Sequence, residues 1–188
     1  MNQMLKKYPD EIEKIMTRYP KERRRAAVMP LLHLAQAEEG FVSRAALKEI
    51  AEITDISVTE VASVVGFYTL FHDEPVGKIR LQVCTDVACD LRGAKEYLVD
   101  LCGQLGIKPG ETTADGLITI EEVKCLAACD KAPMFQAQIG DDLEYHENQT
   151  PARTLDWLRS MSAALGGAPL KTVSEKAGEA QEEGGGHE

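Results

Sequence analysis

Cys84-Thr85-Asp86-Val87-Ala88-Cys89 and Cys125-Leu126-Ala127-Ala128-Cys129 decide how the rest of this sequence is read. Four residues stand inside the first pair of cysteines, three inside the second, and 35 separate the pairs. Iron–sulfur clusters are held by four thiolates, and a close pair can place two sulfurs on one metal ion without straining the backbone. The spacing predicts Cys84, Cys89, Cys125 and Cys129 as the ligands of one [2Fe-2S] cluster, the first pair on one iron and the second on the other. Two other readings stand beside it. Structural zinc sites usually have about two to four residues inside each pair and roughly 15 to 20 between pairs. Dithiol redox enzymes more often enclose two residues between their cysteines.

Working outward, Lys78 to Val83 alternates polar and apolar residues, which predicts a strand ending at Cys84. A helix beginning near Asp90 follows, with Leu91, Ala94, Leu98, Leu101 and Leu105 on one face. Cys102 falls on that face and reads as a core residue, not a fifth ligand. Cys89 stands at the helix start, where free N–H groups favour a thiolate. Leu117 to Ile120 predicts a strand leading into Cys125, and Met134 to Ile139 another that turns at Gly140-Asp141-Asp142 into a fourth around Leu143 and Tyr145. Thr150-Pro151 caps a last helix with Leu155, Leu158 and Met161 facing inward.

The first 71 residues read as helices. Pro9 opens one, and Pro20 opens a second that runs to Gly40 with a kink expected at Pro30 and His33 packed in its apolar stripe. Ser43 caps a third helix, and Ser57 with Glu60 forms a capping box for a fourth. The aromatic run Gly66-Phe67-Tyr68-Thr69-Leu70-Phe71 is expected to pack this bundle onto whatever follows. Residues 72–77 read as a linker.

Composition narrows the function. The formal net charge is −10, yet residues 1–25 carry eight Lys/Arg against four Asp/Glu. So acidic a body disfavours a nucleic-acid partner. No stretch approaches the roughly 18 apolar residues of a membrane span, so direct membrane insertion is not expected. Five cysteines without an apolar leader suit a reducing compartment, and the expected location is cytoplasmic. The tail from Lys171, rich in Glu, Gly and Ala, is expected to be disordered. No acid/base pair, Gly-rich nucleotide loop or flavin signature stands out, so hydride chemistry is expected to belong to a partner.

The runs V-C-T-D-V-A-C-D-L-R-G-A and V-K-C-L-A-A-C-D-K-A-P-M-F-Q resemble the 24-kDa-type [2Fe-2S] subunit of NADH:quinone oxidoreductase, respiratory complex I. Upstream, P-L-L-H-L-A-Q-A-E-E-G-F-V-S and V-V-G-F-Y-T-L-F are similar to the helical part of that family, so the likeness extends from about residue 22 to about 163. One departure stands out: Leu126-Ala127-Ala128 occurs where the family commonly has a glycine. The resemblance implies an α+β chain: a helical bundle at 1–71, a linker at 72–77, a thioredoxin-like α/β domain at 78–165 carrying the [2Fe-2S] cluster, and an acidic tail at 166–188. It places Cys84, Cys89, Cys125 and Cys129 at the family's ligand positions. It also implies a flavin- and NADH-binding partner subunit holding FMN, and a peripheral place on the cytoplasmic side of the membrane. The corresponding subunit of an NAD-linked hydrogenase or formate dehydrogenase, or a free thioredoxin-like ferredoxin, remains the alternative.

Overall fold

Helix-capping residues divide the first third of the chain, and strand alternation takes over after Gly77. The computed structural model describes residues 3–140 and 142–177. It forms two compact units that divide between Val76 and Gly77.

The first unit is helical: α1 Gln3–Lys7, α2 Pro9–Met16, a 3-10 segment Lys21–Ala27, α3 Val28–Glu39, α4 Arg44–Thr54 and α5 Val58–Phe67. Pro9 takes the first position of α2, where its missing N–H costs no hydrogen bond. Ser43 Oγ accepts from the Ala46 N–H at 3.2 Å to start α4. Ser57 and Glu60 form a reciprocal capping box at the start of α5. Gly40, at φ +79°, closes α3 in the left-handed region that glycine adopts without steric penalty. Ile12, Leu31, Leu32, Ile50, Val61 and Phe71 fill the core.

Three details of this unit differ from the sequence reading. The helix expected from Pro20 to Gly40 breaks, because Arg23 leaves the helical region at φ −123° and residues 21–27 wind as 3-10. Pro30 then lies in the first turn of α3, where no intrahelical N–H is needed, so it has no kink to cause. His33 is exposed, with its ring tilted against Phe71 at 4.8 Å. The aromatic run also splits. Phe71 is buried in the bundle's own core, whereas Phe67 is 77% exposed and Tyr68 43%. The Gln36 side chain pins this segment, donating to Leu70 O at 2.8 Å and accepting from the His72 N–H at 2.9 Å.

The second unit contains β1 Ile79–Cys84, α6 Val87–Asp90, α7 Ala94–Leu105, β2 Ile118–Val123, β3 Phe135–Ile139, β4 Asp142–His146 and α8 Pro151–Ala164. Its sheet has the order β2-β1-β3-β4, with β1 and β2 parallel and the other pairs antiparallel. Together with the helical unit this makes an α+β fold. Ile79, Leu81, Val83, Ile118, Ile120, Phe135 and Ala137 form one apolar cluster with Leu98, Leu101 and Cys102 of α7 and with Leu155 and Leu158 of α8. Truncating a fully buried member such as Leu158 to Ala removes about 2–5 kcal/mol. The opposite face is polar and tied together. Arg80, 5% exposed, donates to Glu121 at 2.8 and 2.5 Å and to Gln138 Oε1 at 3.0 Å.

Two further expectations are corrected here. Leu91 is 84% exposed, because Gly93 at φ +85° separates α6 from α7 and moves Leu91 out of phase with the core face. Tyr97 takes up core space instead, its hydroxyl 2.8 Å from Thr154 Oγ1. The tail is also ordered further than its composition suggests. Ser162 Oγ donates to Ala168 O at 2.8 Å, Leu170 packs on the core, Thr172 is 5% exposed, and Glu175 pairs with Arg159 at 2.8 Å. Apolar and capping side chains here outweigh the average polarity of the stretch. Residues 178–188, the rest of that expected tail, lie outside the described residues. Among the described residues no helix is long and apolar enough to cross a membrane.

Gly77 enters this unit where no larger residue fits. Its N–H donates to Thr119 Oγ1 at 2.6 Å, and a Cβ there would lie 2.7 Å from Leu117 O. Gly77→Ala is expected to cost about 1–3 kcal/mol by overpacking. A thermal melt should show the loss as a Tm lower by several degrees, and an unchanged Tm refutes it.

Candidate metal centre

Strand register builds the site. In the β1–β2 ladder Cys84 lies opposite Val123, so the end of β1 and the approach to Cys125 reach the same end of the sheet. The ladder continues one step beyond the strand, where the Thr85 N–H donates to Val123 O at 3.1 Å. On the other side of β1, the Cys84 N–H donates to Met134 O at 3.3 Å, which brings the segment after Cys129 alongside. Cys89 is carried back toward Cys84 by the single turn of α6.

The two pairs sit in different surroundings. Cys84 and Cys89 are buried with Ala94, Ala132 and Met134, and Leu126 and Ala128 pack against them. Cys125 and Cys129 are exposed, with their sulfurs 3.9 Å apart. Cys102 lies in the separate core between sheet and helices, where burial pushes its thiol up to about 11. Among the described residues, no three His, Cys, Asp or Glu side chains converge closely enough to ligate one metal ion. The cysteines converge by twos at one end of the sheet, Cys84 with Cys89 in one apolar pocket and Cys125 with Cys129 in the exposed loop beside it. That arrangement suits a binuclear centre with two thiolates per metal better than a single tetrahedral ion.

The Cys89 thiol is pushed up to about 12, first by burial and then by its hydrogen bond with Cys84. The helix expected near Asp90 begins at Val87, so Cys89 lies within its single turn and not ahead of it. A single turn supplies little dipole, and the apolar pocket outweighs it. Cys129 is also raised, chiefly by the hydrogen bond it shares with Cys125.

The surrounding charges pair locally. Asp90 meets Lys95 at 2.7 Å, Glu121 meets Arg80 at 2.5 Å, Glu122 meets Lys124 at 3.8 Å, and Asp130 meets Lys131 at 4.0 Å. Two side chains to which the sequence reading gave no part in the site also hold it. Arg92 Nε donates to Ala132 O at 2.8 Å, and the Tyr145 hydroxyl donates to Leu126 O at 3.1 Å. Arg92 could have been found from its i, i+3 spacing to Cys89. The Tyr145 contact had no local signal, since it joins residues 19 positions apart.

Ala127 explains the glycine departure. It sits at φ +62°, in the left-handed region where an alanine costs roughly 1–2 kcal/mol. Ala127→Gly relieves that strain but makes the unfolded chain more flexible. The expected gain is up to about 1 kcal/mol in the metal-free chain, read by denaturant unfolding. A clear loss of stability contradicts it.

Comparison with known proteins gives the family. The thioredoxin-like [2Fe-2S] ferredoxin family matches residues 12–162. The E 2 subunit of the NADH-quinone oxidoreductase of Rhizobium meliloti is 44% identical over 155 residues, covering 82% of this chain and 89% of that protein. NADH-quinone oxidoreductase subunit 2 of Thermus thermophilus is 43% identical over 144 residues, covering 77% and 78%. In fold, the chain is similar to a crystal structure of an NAD+-reducing [NiFe]-hydrogenase in the H2-reduced state. That match has a TM-score of 0.60 and 21% identity and covers 72% of this chain and 22% of that one. With two cysteine pairs joined by the β1–β2 ladder and a family match over most of its length, the chain belongs to the thioredoxin-like [2Fe-2S] ferredoxin family.

Proposed function

We propose that this chain is the electron-transfer subunit of an NADH dehydrogenase module, holding one [2Fe-2S] cluster on Cys84, Cys89, Cys125 and Cys129. The observation that carries the reading is the convergence of two cysteine pairs at one end of the sheet, in a chain 43–44% identical to subunits of NADH-quinone oxidoreductases. When bound, such a cluster accepts and gives up single electrons. The chain supplies the four thiolates, an apolar floor of Ala94, Ala132 and Met134, and a backbone N–H, that of Ala127, aimed at the Cys125 sulfur.

The partner in this reading is a flavin- and NADH-binding subunit. FMN held there would supply the splitting of a hydride into single electrons, for which this chain has no signature of its own. Exposed Cys125 and Cys129 put the centre at the surface, where a short transfer distance can be reached. Val87 and Leu91, 72% and 84% exposed, flank Cys89 and provide apolar contact area for such a partner. In the domain division we propose, residues 1–71 form a helical bundle that serves docking and residues 78–165 carry the cluster. The whole sits peripherally on the cytoplasmic side of the membrane.

The full-length chain, purified without air, is expected to be reddish brown with about two irons and two labile sulfides. Serine at position 84, 89, 125 or 129 should lose or alter the visible spectrum, while Cys102→Ser should keep it. Stoichiometric zinc in a colourless protein rejects the cluster.

Copurification from its own cell tests the complex. A flavoprotein that oxidises NADH and passes electrons to quinone supports the proposal. Recovery with a hydrogenase or formate dehydrogenase assigns the chain to that complex instead. In the reconstituted pair, NADH should produce the paramagnetic signal of a reduced cluster. A cluster that takes no electron from the flavin, even with a low-potential reductant present, rejects electron transfer.

A further inference from the structure

Leu126 and Ala127 share one peptide group, and both of its polar ends are engaged. Its carbonyl oxygen accepts from the Tyr145 hydroxyl at 3.1 Å, and its N–H donates to Cys125 Sγ at 3.4 Å. Tyr145 lies on β4, outside the cysteine loops, opposite Gln136, whose side chain donates to Gln82 Oε1 at 2.8 Å. The hydroxyl is thus delivered from a sheet braced across three strands to a loop that is exposed and carries a left-handed alanine.

We propose that Tyr145 is a positioning residue for the metal centre, fixing through its hydroxyl the peptide whose N–H points at the Cys125 sulfur. The inference rests on Cys125 being a cluster ligand. A carbonyl that accepts a hydrogen bond polarises its own peptide, so the N–H at the other end becomes a better donor. An N–H aimed at a ligand sulfur stabilises the extra negative charge of the reduced state and raises the reduction potential. The hydroxyl also opposes rotation of this peptide, which would turn the N–H away from sulfur. Tyr145 touches neither sulfur nor metal, so its effect has to pass through the Leu126–Ala127 peptide.

Tyr145→Phe removes the hydroxyl and leaves the ring. In the full chain with its cluster, the variant is expected to bind the same iron and sulfide as wild type. Its midpoint potential, read by a mediated titration followed by electron paramagnetic resonance, should fall. At the wild-type midpoint the reduced-to-oxidised ratio should drop about two- to fivefold, the scale of one modest hydrogen bond. Iron release to a chelator should speed up by a similar factor. Leu143→Ala, on the same strand and without a hydroxyl, serves as the control and should leave the potential unchanged.

An unshifted potential in a fully loaded Tyr145→Phe variant overturns the proposal, as does an equal shift in Leu143→Ala. Loss of the folded sheet by far-ultraviolet circular dichroism also overturns it, by making Tyr145 a stability residue. Loss of the cluster with the sheet intact overturns it too, since the variant is expected to keep its iron and sulfide. Absence of iron and sulfide from the wild-type chain instead rejects the cluster reading itself.

Discussion

The parallel pairing of β1 with β2 is the constraint on which the centre depends. It sets Cys84 opposite Val123, two residues before Cys125, and so closes the 35-residue gap between the cysteine pairs. Closing a loop of that length costs about 3 kcal/mol in chain entropy on a logarithmic scale. The intervening chain includes the 12-residue α7, whose Leu98, Leu101 and Leu105 bury against Ile79, Leu81, Ile118 and Ile120. At roughly 1.5–3 kcal/mol for each buried side chain, that packing offsets the closure several times over. The cysteines therefore need not hold the two ends together. They are presented by a sheet that the apolar core has already assembled.

Electrostatics at the site follows from the same placement. The acidic residues near the cysteines would oppose an added electron, but Asp90, Glu121, Glu122 and Asp130 each have a cationic neighbour within 4.0 Å. Most of these pairs are solvent-exposed, where each is worth only about 0–1 kcal/mol and salt screens its field. Arg80–Glu121 is the exception, with Arg80 6% exposed at its side chain, and that pair also locks β1 to β2. Lys124 and Lys131 are exposed and each has a carboxylate neighbour at 3.8–4.0 Å, so solvent screens their fields at the sulfurs. The Ala127 N–H, 3.4 Å from Cys125 Sγ, is a fixed dipole that bears on that sulfur directly.

Features legible in the sequence were those with short-range causes. Capping by Ser43, Ser57 and Thr150 acts within three residues, and the alternation from Ile79 to Val83 marks a strand without reference to anything distant. The cysteine spacing likewise pointed to two pairs. What escaped depends on longer reach or on backbone phase. Gly93 resets the helical phase, so Leu91 points outward although its spacing to Ala94 and Leu98 suits a core face. Arg23 interrupts a helix with no proline or glycine at the break. Residues 168–175 are held by Arg159 and Ser162 of α8, contacts that no average of tail composition contains.

The Cys125–Cys129 loop shows why a few hydrogen bonds decide its conformation. A left-handed alanine costs roughly 1–2 kcal/mol, and one hydrogen bond contributes about 0.5–1.5 kcal/mol. Neither the Tyr145 contact nor the N–H to sulfur is large enough to guarantee φ +62° at Ala127 alone. Acting on opposite ends of one peptide, they reinforce each other and together match the strain. Strain of this size persists only where the surroundings over-determine the backbone. Here the surroundings are the edge of the sheet on one side and a cysteine sulfur on the other. A metal held by that sulfur, as proposed above, would add a third restraint and couple metal binding to the loop conformation.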